Sequence, residues 1–230
     1  INDKRTYAAS QLIRTMCAGQ PYGIPRIGEP EDLDEITPQS LYAHYRQILG
    51  TSRVEMFYMG SLAPEQVTEV LRQTLQALPR AGQVVPVGTT PAPAARPVQE
   101  KTERLDVTQG KLSLGFFTDI TANDPRYPAL VLAATVFGGG ATSKLFTNVR
   151  EQMSLCYYAS ASFEKFKGVL AVASGVEFSK LETAKKEILR QLEACCSGEI
   201  SDYELESARG YLVSDLKIAM DSPGRLDDFY

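Results

Sequence analysis

The chain has 230 residues, 43% hydrophobic and 23% charged, which is ordinary for a soluble globular protein with a sizeable core. The net charge of -4, with no clustered Lys or Arg, argues against nucleic-acid and anionic-membrane partners. The sequence contains no apolar run long enough for a membrane span, and its four cysteines lack C-x-x-C spacing. We therefore expect reduced thiols and a cytoplasmic protein.

The N-terminal third predicts three helices and one strand. One helix is expected at 3–18, a second begins at Pro38 after a Thr37 cap, and a third runs from Pro64 to Leu78. A buried strand is expected at 54–59. One strand cannot make a sheet, so we expect 1–78 to be the end portion of a first α+β domain whose remainder precedes this chain.

A proline-rich linker is predicted at 79–101, where five prolines lie among Ala, Gly and Thr. Helices and sheets do not tolerate this composition. Proline favours extended polyproline II, so we expect the linker to hold two domains apart.

The remainder, 102–230, predicts a second α+β domain that is truncated at its C-terminus. The expected elements are strands at 104–108 and 111–118 around a Gln109-Gly110 turn, a helix from Pro125 to Phe137, a short helix behind Ser143, a hairpin of 155–163 and 169–176, and two helices with capping boxes at Ser179/Glu182 and Ser201/Glu204. This order predicts a two-layer domain in which helices cover one face of an antiparallel sheet.

A glycine-rich loop, Gly138, Gly139 and Gly140, precedes the short helix. Glycine amides at a helix start can hold an anion, but GGGATSK does not match the G-x-x-x-x-G-K-[ST] pattern of a phosphate-binding loop. A structural loop is the favoured interpretation, and an anion or nucleotide site from Gly138 to Lys144 is a distant alternative.

Arg150 and Tyr157 are the chemically interesting pair, because both are expected on rigid elements close to this loop. By themselves these residues favour a surface charge and a core aromatic. A zinc site built from the cysteines and His44 is an alternative to buried thiols, which we favour.

Several stretches together carry a family resemblance: PYGIPRIGEPEDLDEITPQSLYAHYRQIL, the strand ending in MGSL, the proline linker, FGGGATSKLFTNVREQMSLCYYASA and GEISDYELESARGYLVSDLKIAMDSP. They resemble the C-terminal type of domain in the insulinase and pitrilysin (inverzincin) family of zinc metallopeptidases, which includes the mitochondrial processing peptidases. The resemblance implies that Arg150 and Tyr157 reach the zinc site of an opposite domain and bind the substrate main chain. A guanidinium and a phenol are suitable donors to a substrate carbonyl and its oxyanion.

The zinc ligands of that family, an H-x-x-E-H motif and a further Glu, are not in this sequence, whose single histidine is His44. We therefore expect no cofactor in this segment and no peptidase activity from it alone, with zinc in the full-length protein or its partner. SGVEFSKLETAKKEIL and DSPGRLDDFY resemble a bacterial cytoplasmic branch that lacks the motif and works beside an intact partner.

Two functional hypotheses follow from the resemblance. The first is a substrate-binding, non-catalytic region of a peptidase assembly, with a peptide substrate and a homologous subunit in a homo- or heterodimer as partners. The alternative is a catalytically inactive scaffold or partner subunit.

Overall fold

The computed structural model describes residues 3–80, 83–84, 88 and 97–227. Of these, the residues within 1–26 and 89–218 form one compact unit, here called the sheet unit. Those within 27–88 and 219–230 form a second, here called the helical unit. Much of the predicted linker 79–101 lies outside the described residues, so the domain division into 1–78 and 102–230 stays a prediction.

The helices and strands have the following bounds. The α-helices are α1 (Lys4–Met16), α2 (Pro38–Thr51), α3 (Pro64–Gln76), α4 (Tyr127–Gly138), α5 (Leu181–Cys196), α6 (Asp202–Met220) and α7 (Pro223–Asp227). The strands are β1 (Gly110–Phe117), β2 (Cys156–Glu164) and β3 (Val169–Val176). A π-helix spans Leu145–Gln152, and short 3-10 turns occupy Pro21–Gly23, Pro30–Glu35 and Phe178–Lys180.

The sheet unit contains a three-stranded antiparallel sheet in the order β1-β3-β2. The hairpin of β2 and β3 is confirmed. Its turn depends on Gly168, whose φ of +70° lies in the left-handed region, and a Cβ there would be 2.7 Å from the Ile120 carbonyl oxygen. Val172 lies at the centre of the sheet, paired with Leu114 on one side and Ala161 on the other.

The main core lies between one face of this sheet and α4, α5 and the π-helix. Its most buried side chains are Phe137, Leu145, Val149, Val172 and Ile188, all at most 1% exposed. Burial of this apolar surface provides the dominant favourable free energy of folding. The predicted α+β fold, with an antiparallel sheet and helices packed on it, is confirmed.

Helix α1 packs on the opposite face of the sheet, against β1. Gly115 provides the space for this contact, because a Cβ there would overlap Met16 and lie 3.1 Å from a methyl group of Leu12. At the other end of α1, the Arg5 guanidinium lies 4.4 Å from the centre of the Tyr158 ring on β2. The sheet is therefore covered on both faces over part of its area.

In the helical unit, α2 and α3 each begin with a proline, as predicted. The Thr37 hydroxyl accepts a hydrogen bond from the Ser40 amide at 3.1 Å and so caps α2. The guanidinium of Arg80 donates to the carbonyl oxygens of Leu49 and Ser52, at 2.9 and 2.8 Å. These bonds tie the chain after α3 to the C-terminal end of α2.

The buried strand predicted at 54–59 is wrong. This segment has no partner strand within the described chain, and Met56 and Met59 are about half exposed. Apolar composition indicated burial, but a strand also needs a neighbour to satisfy its backbone groups.

The hairpin predicted around Gln109-Gly110 is also wrong. Residues 104–108 form no ladder, and Gly110 is already the first residue of β1, paired with Val176. Neither Gln109 nor Gly110 has a positive φ, which the favoured two-residue hairpin turns require at one or both central residues.

Of the two predicted capping boxes, only the second forms. Ser201 and Glu204 exchange hydrogen bonds between side chain and backbone, at 2.8 and 3.3 Å. Ser179 instead lies within the 3-10 turn before α5, and the residue that precedes α5, Lys180, makes no side-chain cap.

Candidate functional site

The glycine-rich loop brings α4 into close contact with β2. A Cβ on Gly138 would lie 2.5 Å from the Ala161 backbone nitrogen, and one on Gly139 would lie 2.7 Å from the Thr135 Cα. At Gly140 the nearest atom would be in the Tyr211 ring, at 3.5 Å. None of the three glycines has a positive φ, so space at the first two positions, rather than backbone conformation, requires glycine.

The residues after the glycines fix the start of the π-helix. The Ser143 hydroxyl donates to the Gly140 carbonyl at 2.6 Å and accepts a long bond of 3.4 Å from the Phe146 amide. Lys144, only 7% exposed, forms a 2.8 Å ion pair with Glu204 of α6. Burial tends to raise the pKa of Glu204, but hydrogen bonds from Lys144 and Ser201 bring it below its ordinary value. The Lys144 charge is thus neutralised within the protein.

The π-helix is also attached to α5 by a row of polar side chains. Asn148 Nδ2 donates to Gln191 Oε1 at 2.8 Å, and Gln191 Nε2 donates to Glu187 Oε1 at 2.6 Å. The Glu187 carboxylate also accepts bonds of 2.7 and 2.9 Å from Arg190. These bonds from Arg190 hold the pKa of Glu187 below its ordinary value against the opposing effect of burial.

Tyr157 occupies a β-bulge at the start of β2. Cys156 pairs with Val176 and Tyr158 pairs with Gly175, which leaves Tyr157 as the extra residue between them. A bulge turns a side chain away from the regular alternation of a strand. The Tyr157 side chain is 51% exposed, whereas the sequence alone favoured a core aromatic.

Arg150 lies beside this bulge. Its Nε donates to the Tyr157 carbonyl oxygen at 3.0 Å, its Nη1 is 3.3 Å from Glu151 Oε1, and its guanidinium lies 4.6 Å from the centre of the Phe146 ring. Neither the guanidinium nor the Tyr157 hydroxyl makes any further hydrogen bond to the described residues. The structure therefore brings together the two residues that the sequence singled out and leaves donors on both available.

An open pocket of about 380 Å³ surrounds the pair. Besides Arg150 and Tyr157, its lining includes Ser154, Glu177 and Lys180. The Lys180 ammonium donates to the Ser154 carbonyl at 3.2 Å and lies 3.3 Å from Glu177 Oε1. Ser154 has a φ of +49°, an unusual value for a residue other than glycine. Such positions occur frequently at binding sites.

Sequence reasoning missed Lys180 and the row from Asn148 to Glu187. Glu187 and Gln191 had a visible signal, since they lie with Ala184 and Ala194 at spacings of three and four residues on one face of α5. Polar side chains on an apolar stripe indicate a buried hydrogen-bonded network.

The other candidate groups do not assemble into a site. Burial raises the pKa of the Cys156 thiol, and it raises that of Cys195 to about 11. His44 is exposed on α2, and within the described ranges no three His, Cys, Asp or Glu side chains are placed to hold a metal ion. Among the helices of the described residues, none has the length and apolar character needed to cross a membrane.

The chain belongs to the family described as the peptidase M16 inactive domain, whose model matches residues 35–212. A relative from Bacillus subtilis, named "Probable inactive metalloprotease YmfF", is 32% identical over 228 residues, which are 99% of this chain and 53% of the relative. A relative from Rickettsia bellii, named "Uncharacterized zinc protease", is 25% identical over 88% of this chain and 48% of its own length. The chain thus spans about half the length of the curated relatives it matches.

Solved structures agree with this assignment. A conserved protein from Enterococcus faecalis matches with a TM-score of 0.86 and 31% identity, over 99% of this chain and 53% of that one. A peptidase M16 inactive domain from Pseudomonas fluorescens matches with a TM-score of 0.74 and 19% identity, over 94% and 52%. The second likeness concerns the fold alone. Together with the family match, these results confirm the resemblance to insulinase- and pitrilysin-type peptidases.

Proposed function

We propose that this chain is a substrate-binding, non-catalytic region of a zinc metallopeptidase, in which Arg150 and Tyr157 hold the main chain of a peptide. The observation that carries the proposal is the 3.0 Å bond from Arg150 Nε to the Tyr157 carbonyl. This bond fixes a cation beside an exposed phenol at the edge of an open pocket.

The chemistry of the pair suits a peptide main chain. A guanidinium carries five N–H donors and a phenol carries one, whereas a peptide offers carbonyl oxygens as acceptors. Charge-assisted bonds from such donors strengthen when a carbonyl oxygen becomes an oxyanion during hydrolysis. Donors fixed before the substrate arrives lose less conformational entropy on binding.

Zinc does not fit the part of the chain that the structure describes, because no suitable group of ligands occurs there. We propose that the metal belongs to another part of the full-length protein or to a homologous partner subunit. The pair would then assist hydrolysis that is carried out elsewhere. We also propose a cytoplasmic location, which the free state of all four cysteines supports.

Peptide binding by the full-length protein tests this function. Fluorescein-labelled 15-residue peptides of randomised sequence would be titrated with the unchanged protein and with an Arg150→Met/Tyr157→Phe variant, and anisotropy would report binding. We expect the unchanged protein to bind and the variant to lose most of this affinity without a change in Tm. Equal binding by both proteins would contradict the proposal.

An inactive scaffold is the second candidate, and the name of the Bacillus subtilis relative, a probable inactive metalloprotease, favours it. A scaffold does not use the pair on substrate. The Tyr157→Phe substitution should then leave both peptide cleavage and subunit assembly unchanged when the parent protein is reconstituted with its partner.

A further inference from the structure

We propose that Gln191, acting with Asn148 and Glu187, is a positioning residue that fixes the π-helix and thereby aims Arg150 at the substrate. This inference rests on the proposed function. The side chain of Gln191 is only 2% exposed and is among the largest fully buried side chains of the described residues. This side chain extends from α5 to the π-helix and does not line the pocket.

The row of hydrogen bonds has a fixed direction. Glu187 is ionised, so its oxygens only accept, and the nitrogen of the Gln191 amide must face it. The Gln191 oxygen then faces the π-helix and selects the nitrogen of the Asn148 amide. The charge of Glu187 thereby fixes the orientation of two amide groups.

The row ends at the turn that carries Arg150. The side chain of Asn148 is held by Gln191, while its backbone carbonyl accepts the amide of Met153 at 3.1 Å, five residues later. The Val149 carbonyl accepts the amide of Leu155 at 3.0 Å. Arg150 lies inside this wide turn, so a shift of Asn148 changes the direction of the guanidinium. π-Helical turns frequently occur at functional sites.

A role in stability alone would not require polar side chains at Asn148, Gln191 and Glu187. Ile188 and Leu145 of the surrounding core are aliphatic, and aliphatic side chains in place of a buried polar network are often neutral or stabilising. A fully satisfied network instead imposes one geometry on the elements that it joins. We infer that this row of hydrogen bonds serves to orient the π-helix and, with it, Arg150.

A double-mutant cycle in the full-length protein separates orientation from stability. The variants are Gln191→Met, Arg150→Met and the combination, and the readouts are Tm and the affinity for the randomised 15-residue peptides. We expect Gln191→Met to weaken binding by about tenfold, as for the loss of a hydrogen bond. In the Arg150→Met background it should have no further effect on binding, although Tm falls equally in both backgrounds.

Gln73→Met is the matched control, because Gln73 donates at 2.8 Å to Glu69 four residues earlier on the exposed surface of α3. It should leave binding unchanged. Equal weakening of binding by Gln191→Met in both backgrounds, or none in either, would overturn the inference. If Arg150→Met itself leaves binding unchanged, the proposed function fails, and the inference fails with it.

Exchanging the donors and acceptors along the row of hydrogen bonds provides a second test, which does not require the Gln191→Met variant to fold. Asn148→Asp places an acceptor against the Gln191 oxygen and should weaken binding. Adding Glu187→Gln allows the Gln191 amide to turn over, so that it again meets a complementary group on each side, while the exposed Arg190 gives up its bond to Oε1 of residue 187. Recovery of peptide affinity supports the inference, and a double variant that binds no better than Asn148→Asp contradicts it.

Discussion

The bond from Arg150 Nε to the Tyr157 carbonyl joins two residues that are seven positions apart. A bulge residue is left out of the regular ladder, so its backbone groups remain available to other partners. Here the carbonyl of the bulge holds the cation, while the side chain of the same residue remains exposed. One irregularity of β2 therefore both fixes Arg150 and presents the phenol.

The role of the Tyr157 hydroxyl can be tested without changing the stability of the fold. Tyr157→Phe removes a hydroxyl that bonds no described residue, so Tm should not change. If the hydroxyl binds the substrate carbonyl or oxyanion, kcat/KM of the reconstituted parent protein should fall by roughly 100- to 1,000-fold. Steady-state peptide cleavage checks this result.

Tyr203→Phe is the matched control, since Tyr203 on α6 is 70% exposed and loses the same hydroxyl. Its cleavage rate should equal that of the unchanged protein. A similar loss in both variants would point to a general effect and would contradict a role for Tyr157.

The shape of the Arg150 side chain matters as much as its charge. Arg150→Lys keeps the cation but removes the Nε–H that reaches the Tyr157 carbonyl and the planar group above the Phe146 ring. We expect peptide affinity to fall by about tenfold, measured by anisotropy. Arg209→Lys, on the exposed surface of α6 and paired with Glu206, should bind peptide normally. Full affinity of Arg150→Lys would show that charge alone is sufficient.

The sequence predicted much of the fold because its signals are local. Helix starts at Pro38 and Pro64 follow from backbone chemistry within one turn, and β2 and β3 are adjacent in sequence. Segment 54–59 failed because pairing depends on a neighbouring strand, which local composition does not reveal.

The candidate site was predictable only in part. The resemblance to the peptidase family identified Arg150 and Tyr157. The bulge at Tyr157, however, depends on the pairing of β2 with β3, and the π-helix depends on contacts with α5. Neither is encoded in a short pattern of residues. Nothing local in the sequence indicates that Asn148 and Gln191, 43 positions apart, share a hydrogen bond.

The first glycine of the loop provides a test of packing. In a helix, replacing Gly by Ala ordinarily stabilises by about 0.5–1 kcal/mol. Gly138 ends α4, but its added Cβ would lie 2.5 Å from the Ala161 nitrogen, so Gly138→Ala should destabilise by about 2 kcal/mol. Gly140→Ala, with its nearest atom at 3.5 Å, should change the free energy of unfolding by less than about 0.5 kcal/mol. Urea unfolding of both variants checks the difference, and equal stabilities would contradict this packing.

The ion pair of Lys144 and Glu204 should make stability depend on pH in a defined direction. Removing the buried Lys144 leaves the charge of the partly buried Glu204 uncompensated, so Lys144→Met should cost about 2 kcal/mol near neutral pH. The folded pKa of Glu204 lies below its ordinary value of 4.5, so the pair stabilises the protein above that pH and loses this effect as the pH falls through the folded pKa. In Lys144→Met the partly buried Glu204 carboxylate loses the hydrogen bond from Lys144, so its pKa rises, and protonation in acid relieves the cost. The Tm difference between the variant and the unchanged protein should therefore be largest near pH 7 and shrink below about pH 4.5.

Lys185→Met is the control, because it breaks the exposed pair with Glu100 and should change Tm little at either pH. A Tm difference for Lys144→Met that is independent of pH would contradict the assignment.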